Sequence, residues 1–307
     1  MVVACQSRVY VVALAGFCYD GRMIARLLAG LILLIFLHGC SSLSTRMALP
    51  MVESQVASIN AETDPILAEQ AIPASLKMLE GLLRDDPENE TLLHNLAEGF
   101  CGYAFSFVED TDPDRASQLY LRGRGYAERL LVANGAPDKL TGQNPEQFKS
   151  TLKTLNAEHL PGLYWMGQCW AGWLMLNLDD LQAFVAISKV EGTLQRALAL
   201  DESYHYAGPH LLLGAFYGGR SKMLGGKPDK ALNHFEQCLK LTQNKFLMAK
   251  VIYAKTYAVQ IQDSALFKKL LTAVLEAPAD ILPEQQLANA VAKQKAQKLL
   301  ESADDLF

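Results

Sequence analysis

The sequence contains almost no signals for β-strands, because runs of alternating Val, Ile and Thr closed by Asn-Gly turns are missing. This absence excludes a β-rich fold and a two-lobed α/β fold. No apolar run reaches the roughly 20 residues that a membrane-spanning helix needs. The longest unbroken one, Leu27 to Leu37, has 11. The chain also lacks an excess of positive charge, with 28 Lys and Arg against 33 Asp and Glu, so no nucleic-acid partner is expected.

Motifs for catalysis and metal binding are missing too. The sequence has no GxSxG nucleophile motif, no HExxH motif and no CxxC pair. Five of the six histidines lie after residue 40, and no two of these are spaced i, i+4 so as to bind a metal from one helix face; they are His94, His159, His205, His210 and His234. We therefore expect no enzyme activity, no metal and no cofactor.

The N-terminus has the layout of a secretory signal. Arg26 precedes the short apolar run, and the small residues Gly39 and Cys40 follow it. The segment Leu37-His38-Gly39-Cys40 resembles the lipobox of bacterial lipoproteins. We expect translation of this signal to start at Met23. The resemblance implies a signal peptide over 1–39, acylation of Cys40, and a lipid-anchored protein facing the periplasm. Ser41 after the cysteine favours the outer membrane, and the lipid is the only membrane contact expected.

Three cysteines remain beyond the lipidation site. Cys101, Cys169 and Cys238 each lie inside an apolar helical pattern, which is typical of small buried hydrophobic side chains. An odd number of thiols cannot pair completely. One disulfide among them is compatible with an oxidising compartment, and the sequence does not choose it.

Helical periodicity extends over the rest of the chain, so the sequence predicts an all-α fold. Within 227–241, Pro228 suits the first helical position, and Ala231, Phe235 and Cys238 fall on one face. Leu213-Gly214 with Tyr217 matches the first half of a tetratricopeptide repeat. The number of residues between the two helices of each such repeat is irregular. We expect a lipidated tether over 40–60 and a domain of irregular tetratricopeptide-like helical repeats over 61–307.

Two groups of side chains are candidates for contact with a partner or a ligand. All three tryptophans lie within nine residues, and Trp165 shares a helix face with Cys169 and Trp173. Such a stripe is typical of a core, and also of an interface or an apolar cleft. Acidic residues around Pro113 either cap a helix or form a contact surface. The candidates are Trp165, Trp170, Trp173, Glu109, Asp110 and Asp112.

Longer blocks resemble the T-component family of TRAP transporters. The blocks are Glu98 to Ala116, Leu119 to Arg129, Tyr164 to Gly167 with Trp173, Tyr204 to Gly214, and Gly225 to Glu236. The resemblance implies an accessory lipoprotein of a solute uptake system. It implies tetratricopeptide-like units with extra peripheral helices, and a homotrimer with an opening through each protomer. It also implies docking of the extracytoplasmic solute-binding protein and passage of a small apolar ligand.

Two other functions stay open. A general helical-repeat scaffold lipoprotein in envelope assembly would bind many clients along a groove. A cell-wall hydrolase is the third hypothesis, since helical hydrolases leave weak motifs. The solute, the partner stoichiometry and the trimer interface do not follow from the sequence.

Overall fold

The computed structural model describes residues 48–307. The predicted signal peptide, Cys40 and the first part of the predicted tether lie outside this range. Every regular element from residue 48 onward is a helix, which confirms the all-α prediction. Within those residues no helix combines the length and apolarity that crossing a bilayer requires.

The helices follow one another with short connections. The first half contains α1 (48–60), α2 (Pro65–Asp85), α3 (Glu90–Tyr103), α4 (Pro113–Ala133), α5 (Pro145–Thr154) and α6 (Leu160–Leu176). The second half contains α7 (Leu181–Leu200), α8 (Tyr204–Gly218), α9 (Pro228–Leu241), α10 (Met248–Tyr253), α11 (Ser264–Glu276), α12 (Gln286–Glu301) and α13 (Ala303–Leu306). A π-helical turn extends α3 over Ala104–Val108, and another extends α10 over Ala254–Ala258.

Local signals explain where several helices begin. Asp112 accepts the backbone N–H of Arg115 at 3.1 Å and precedes Pro113, so the cap and the proline together start α4. Pro228 starts α9 in the predicted position. Asn144 caps α5 in the same way, by accepting the backbone N–H of Gln147 before Pro145.

Helix α6 is the centre of the fold. It packs against α3, α4, α7 and α8, and apolar side chains surround it on all sides, as expected of a helix without a solvent face. Two glycines of α6 lie directly against side chains of neighbouring helices. A methyl group on Gly172 would lie 2.6 Å from the Tyr120 ring, and one on Gly167 would lie 2.7 Å from Leu194 Cδ2.

Two helix pairs share one packing arrangement. A methyl group on Gly167 of α6 would strike Leu194 of α7, and one on Gly214 of α8 would strike the Phe235 ring of α9 at 2.9 Å. In both pairs a glycine on the first helix accepts a large side chain from the second. The irregular tetratricopeptide-like repeats expected from the sequence stay a prediction.

The cysteines differ from the expectation that they are only small hydrophobic side chains. Cys101 of α3 and Cys169 of α6 form a disulfide with Cα atoms 5.4 Å apart, and Cys238 is a buried free thiol. The pairing that the sequence left open is decided by the packing of α3 on α6. Gly123 of α4 allows it, because a methyl group there would lie 2.5 Å from Cys101 Sγ.

Residues 48–60, placed in the predicted tether, form helix α1. Val52 is fully buried, and Gln55 donates a hydrogen bond to Ser75 Oγ of α2 at 2.7 Å. This part of the chain therefore packs on the helical domain and contributes to its core.

Candidate functional site

The three tryptophans of α6 are buried, with 2%, 3% and 8% of Trp165, Trp170 and Trp173 exposed. Trp170 packs edge-to-face on Phe148 of α5, and its indole N–H has no hydrogen-bond partner. Trp165 differs from the other two because it lines a partly open cavity. The predicted aromatic stripe is thus mainly core, with one member at a site that can hold a ligand.

This cavity lies beneath α1 and has a volume of ≈ 190 Å³. For comparison, an engineered apolar cavity of about 150 Å³ binds benzene. Its walls are mostly apolar and aromatic, and they include Ile59, Ile72, Leu76, Leu79, Tyr103, Phe107, Trp165, Phe246 and Leu287. Polar side chains also line it, namely Gln55, Asn60, Ser75, Asn95, Glu98, Ser106, Gln168, His205 and Gln285. Apolar and aromatic walls with polar groups that can orient a ligand are the usual form of a small-molecule site.

Glu98 is the one charged residue among the cavity's lining residues. Its nearest cation candidate, His94 Nε2, lies 4.0 Å from the carboxyl, and Glu98 keeps 25% of its side-chain surface. That surface faces the cavity. His94 Nε2 also accepts the Trp165 indole N–H at 3.0 Å, so it offers no proton to Glu98. Burial without a compensating charge raises the pKa of Glu98 to about 7.

His205 enters the cavity from a left-handed turn at the start of α8. His205, Tyr206 and Ala207 have φ angles of 44°, 58° and 55°, a conformation that costs residues with a Cβ roughly 1–2 kcal/mol each. The turn places the centroid of the His205 ring 4.9 Å from the centroid of the Trp165 ring. Burial, reinforced by His94, lowers the pKa of His205 to about 4, so this ring is neutral near pH 7.

A surface groove of ≈ 540 Å³ adjoins the cavity. Val56, Asn60 and Asn95 line both spaces, so α1 and α3 form the wall between the cavity and the surface. His94 and Tyr204 lie on the groove side. Only these α1 and α3 side chains separate the two spaces.

The predicted acidic residues lie away from this cavity, between the two π-helical turns. Lys255 binds Glu109 at 3.3 Å and Asp110 at 3.1 Å, and Lys295 of α12 forms a second ion pair with Asp110. Glu109 also accepts the Tyr120 hydroxyl at 2.7 Å. Asp112 caps α4, so Glu109, Asp110 and Asp112 all stabilise the protein's own helices. The side chains of Asp110 and Asp112 nevertheless remain accessible to solvent.

A second polar cluster connects α8 and α9. His210 Nδ1 and His234 Nδ1 are 2.9 Å apart, and His210 Nε2 lies 3.1 Å from Glu202. Burial, with His210 and Lys230 nearby, lowers the pKa of His234 to about 4. Over residues 48–307 no cluster of three or more His, Cys, Asp or Glu side chains is arranged to hold a metal ion.

Sequence reasoning did not select Glu98, His94 or His205 as site residues. No local pattern marked Glu98, because it shares the polar side of α3 with His94 and Asn95, while the buried residues of that helix lie on the other side. What the sequence could not show is that a turn more than a hundred residues later brings His205 to the same cavity.

Comparison with known families gives one match. The family model described as "TRAP transporter T-component" matches residues 61–307, which is well over half of the chain. Among proteins with curated descriptions, none matches the sequence significantly. The matched range contains α2 to α13 and all cavity-lining residues except those contributed by α1.

Proposed function

Because the chain belongs to the T-component family of TRAP transporters, we propose that this accessory component docks the system's extracytoplasmic solute-binding protein and passes a small ligand. The observation that carries the proposal is the cavity bordered by Trp165 beneath α1. An aromatic cavity next to a surface groove is suited to holding a ligand briefly, since only α1 and α3 side chains separate them. Uptake energy would come from the permease.

The proposal places the protein on the periplasmic side of the envelope, anchored in the outer membrane through acylated Cys40. Acyl chains buried in a bilayer contribute about 0.8 kcal/mol per CH₂ group, and stable anchoring takes more than one chain. Mass spectrometry of the protein from its native envelope tests this directly. Triacylated Cys40 at the N-terminus is the expected result, and an unmodified thiol there would contradict the anchor.

Within this proposal the predicted residues have different roles. Trp165 lines the ligand path, and the accessible carboxylates Asp110 and Asp112 contact the partner. Trp170, Trp173 and Glu109 support these positions through packing and ion pairing. A homotrimer, the other expectation from the family, belongs to the proposal and is tested by native mass spectrometry with and without the partner.

Capture from native membranes tests the docking. Tagged protein should co-purify one TRAP solute-binding protein, and a photo-crosslinking residue at Asp112 should link to it. The same residue at Lys149, exposed on α5, is the matched control and should give no such product. Enrichment of porins or assembly factors without a solute-binding protein would contradict the proposal.

A general envelope scaffold is the second candidate, and one observation favours it. Leu181, Phe184 and Val185 at the start of α7 are 76%, 58% and 59% exposed, and grouped exposed apolar residues are typical of protein contacts. Several unrelated clients in the capture experiment, lost together on changing these residues to serine, would support the scaffold instead.

The hydrolase hypothesis finds little support at the cavity. A glycosidase needs two carboxyl groups, roughly 5–9.5 Å apart, on either side of the scissile bond. Glu98 has the raised pKa of a general acid, but the residues lining the cavity include no second carboxyl.

A further inference from the structure

The cavity contains a carboxyl group with which an apolar ligand would form no hydrogen bond or ion pair. Its lining contains one carboxyl, Glu98, and no lysine or arginine. The side chain lies 4.0 Å from His94 Nε2, which is occupied by the Trp165 indole. No donor from the described residues satisfies the carboxylate, and its oxygens are not among the fully buried polar atoms that lack a partner. The carboxylate is therefore open to a ligand that brings a donor or a positive charge, and a charge-assisted hydrogen bond is stronger than a neutral one.

The rings around the same cavity favour a cation over a neutral donor. Trp165, Tyr103, Phe107 and Phe246 all line it. An ammonium or similar cation within about 6 Å of such ring faces is attracted by their quadrupoles, more strongly when it is desolvated. Aromatic faces together with one carboxylate are the common chemistry of amine recognition, while an anionic ligand would meet repulsion from Glu98.

The apolar side of the cavity limits the rest of the ligand. Ile72, Leu76 and Leu79 of α2 form an aliphatic wall, which suits a hydrocarbon portion. The volume of ≈ 190 Å³ admits little more than one ring with a short chain, given that benzene fills a cavity of about 150 Å³.

We propose that this cavity binds a small amphipathic amine, with its ammonium group on the Glu98 carboxylate and its hydrocarbon portion against α2. The assignment rests on the proposed function, because that function requires a ligand to pass through this cavity. It adds the chemical class of that ligand. The amine donates hydrogen bonds to the carboxylate, and its charge lies among the aromatic rings. Charge-assisted hydrogen bonds of this type contribute roughly twice as much as neutral ones.

The other titratable groups facing Glu98 are uncharged at about pH 8. They are His94 on the same helix, His205 and Tyr206 from the left-handed turn, Tyr164 of α6 and Tyr204 of α8. Burial lowers the pKa of both histidines and raises that of the three tyrosines, of Tyr204 to about 12. Glu98 itself, with a pKa of about 7, is mostly ionised there, so it is the charged group among the residues that line the cavity.

The test is calorimetric titration of the purified full chain at about pH 8 with three probes of equal shape. These are 2-phenylethylamine, 2-phenylethanol and phenylacetate. The amine should bind at least about tenfold more tightly than the alcohol, and the acid should not bind. Equal or better binding of the alcohol or the acid would overturn the assignment, and so would the absence of amine binding to folded protein.

Two variants make the result specific. Glu98→Gln should lose about tenfold in amine affinity while alcohol binding stays the same. Glu69→Gln on α2, exposed to solvent, is the matched control and should behave as the parent. Equal loss in both variants would contradict a role for Glu98. Because the titration needs no partner, amine binding without capture of a solute-binding protein would refute the proposed docking alone.

Discussion

Trp165 donates its indole N–H to His94 Nε2 at 3.0 Å, across 71 residues of sequence. The bond joins α6 to α3 and uses the imidazole nitrogen nearest Glu98, which is 4.0 Å from the carboxyl. Glu98 is left without a protein donor as a result. The cavity therefore combines a neutral aromatic wall with a carboxyl whose pKa is raised by burial.

Glu98 should make the protein less stable as the pH rises. Its pKa is about 7 in the folded protein against an ordinary value of 4.5, so between these values the folded state binds more protons than the unfolded state. The free energy of unfolding should therefore fall from about pH 4.5 to above about pH 7, by on the order of 2 kcal/mol after allowance for partial exposure. Urea unfolding over this range measures it. Glu98→Gln should remove this decrease and Glu69→Gln should keep it; a decrease of the same size in both would contradict the assignment.

The disulfide between α3 and α6 should stabilise the domain measurably. Cys101 and Cys169 are 68 residues apart in sequence, and closing a loop of that length contributes about 2–4 kcal/mol, mainly by restricting the unfolded chain. Reductant should lower the melting temperature of the parent protein. The double variant Cys101→Ala, Cys169→Ala should start lower and be insensitive to reductant, whereas Cys238→Ala should stay sensitive. A parent protein whose melting temperature ignores reductant would argue against the bond.

The ion pairs of Asp110 should stabilise the contact between the two π-helical turns and α12. Burial alone would raise the pKa of Asp110, but Lys255 and Lys295 outweigh it and lower the pKa below 3.8. This stability is present above that value and is lost as the pH falls through the folded pKa. Asp110→Asn should cost about 1 kcal/mol at neutral pH, since the 42% exposed side chain is partly screened.

Denaturant unfolding at two ionic strengths checks the Asp110 prediction, because added salt should reduce the difference from the parent protein. Asp114→Asn, at an exposed carboxylate in the first turn of α4, is the control and should change little. A cost for Asp110→Asn that does not shrink as the pH falls below 3.8 would show that packing rather than charge is responsible.

The left-handed backbone turn at the start of α8 should be strained, and a glycine in the turn should relieve that strain. Ala207 has φ 55° and ψ 34°, which glycine adopts more easily than alanine. Ala207→Gly should therefore raise the free energy of unfolding by about 0.5–1 kcal/mol, whereas Ala215→Gly in the right-handed part of α8 should lower it by a similar amount. Thermal unfolding of both variants gives the comparison. Destabilisation by both changes would show that the turn is not strained at this residue.

Several features followed from the sequence because they depend on neighbouring residues. The helix starts at Pro113 and Pro228 are local effects of caps and of proline geometry, and the all-α class follows from periodicity along the whole chain. The family also followed from the sequence, since Glu98 to Ala116 is a contiguous block within the matched range.

Two helical segments show where local patterns carry little information. Helix α5 buries only Phe148 and Leu152, so few apolar positions mark it despite a clear cap at Asn144. Helix α7 begins at Leu181. Its first turns expose Leu181, Phe184 and Val185, so their apolar side chains do not mark a buried face.

The sequence by itself determined the helical class, the family and the residue types that gather around α6. Only the tertiary structure decided that Cys101 pairs with Cys169, that Glu109 and Asp110 bind lysines instead of remaining free, and that Glu98 and His205 share a cavity with Trp165. The physical reason is distance along the chain. Helices form through contacts three or four residues apart, whereas a cavity and its electrostatics arise from side chains that only packing brings together.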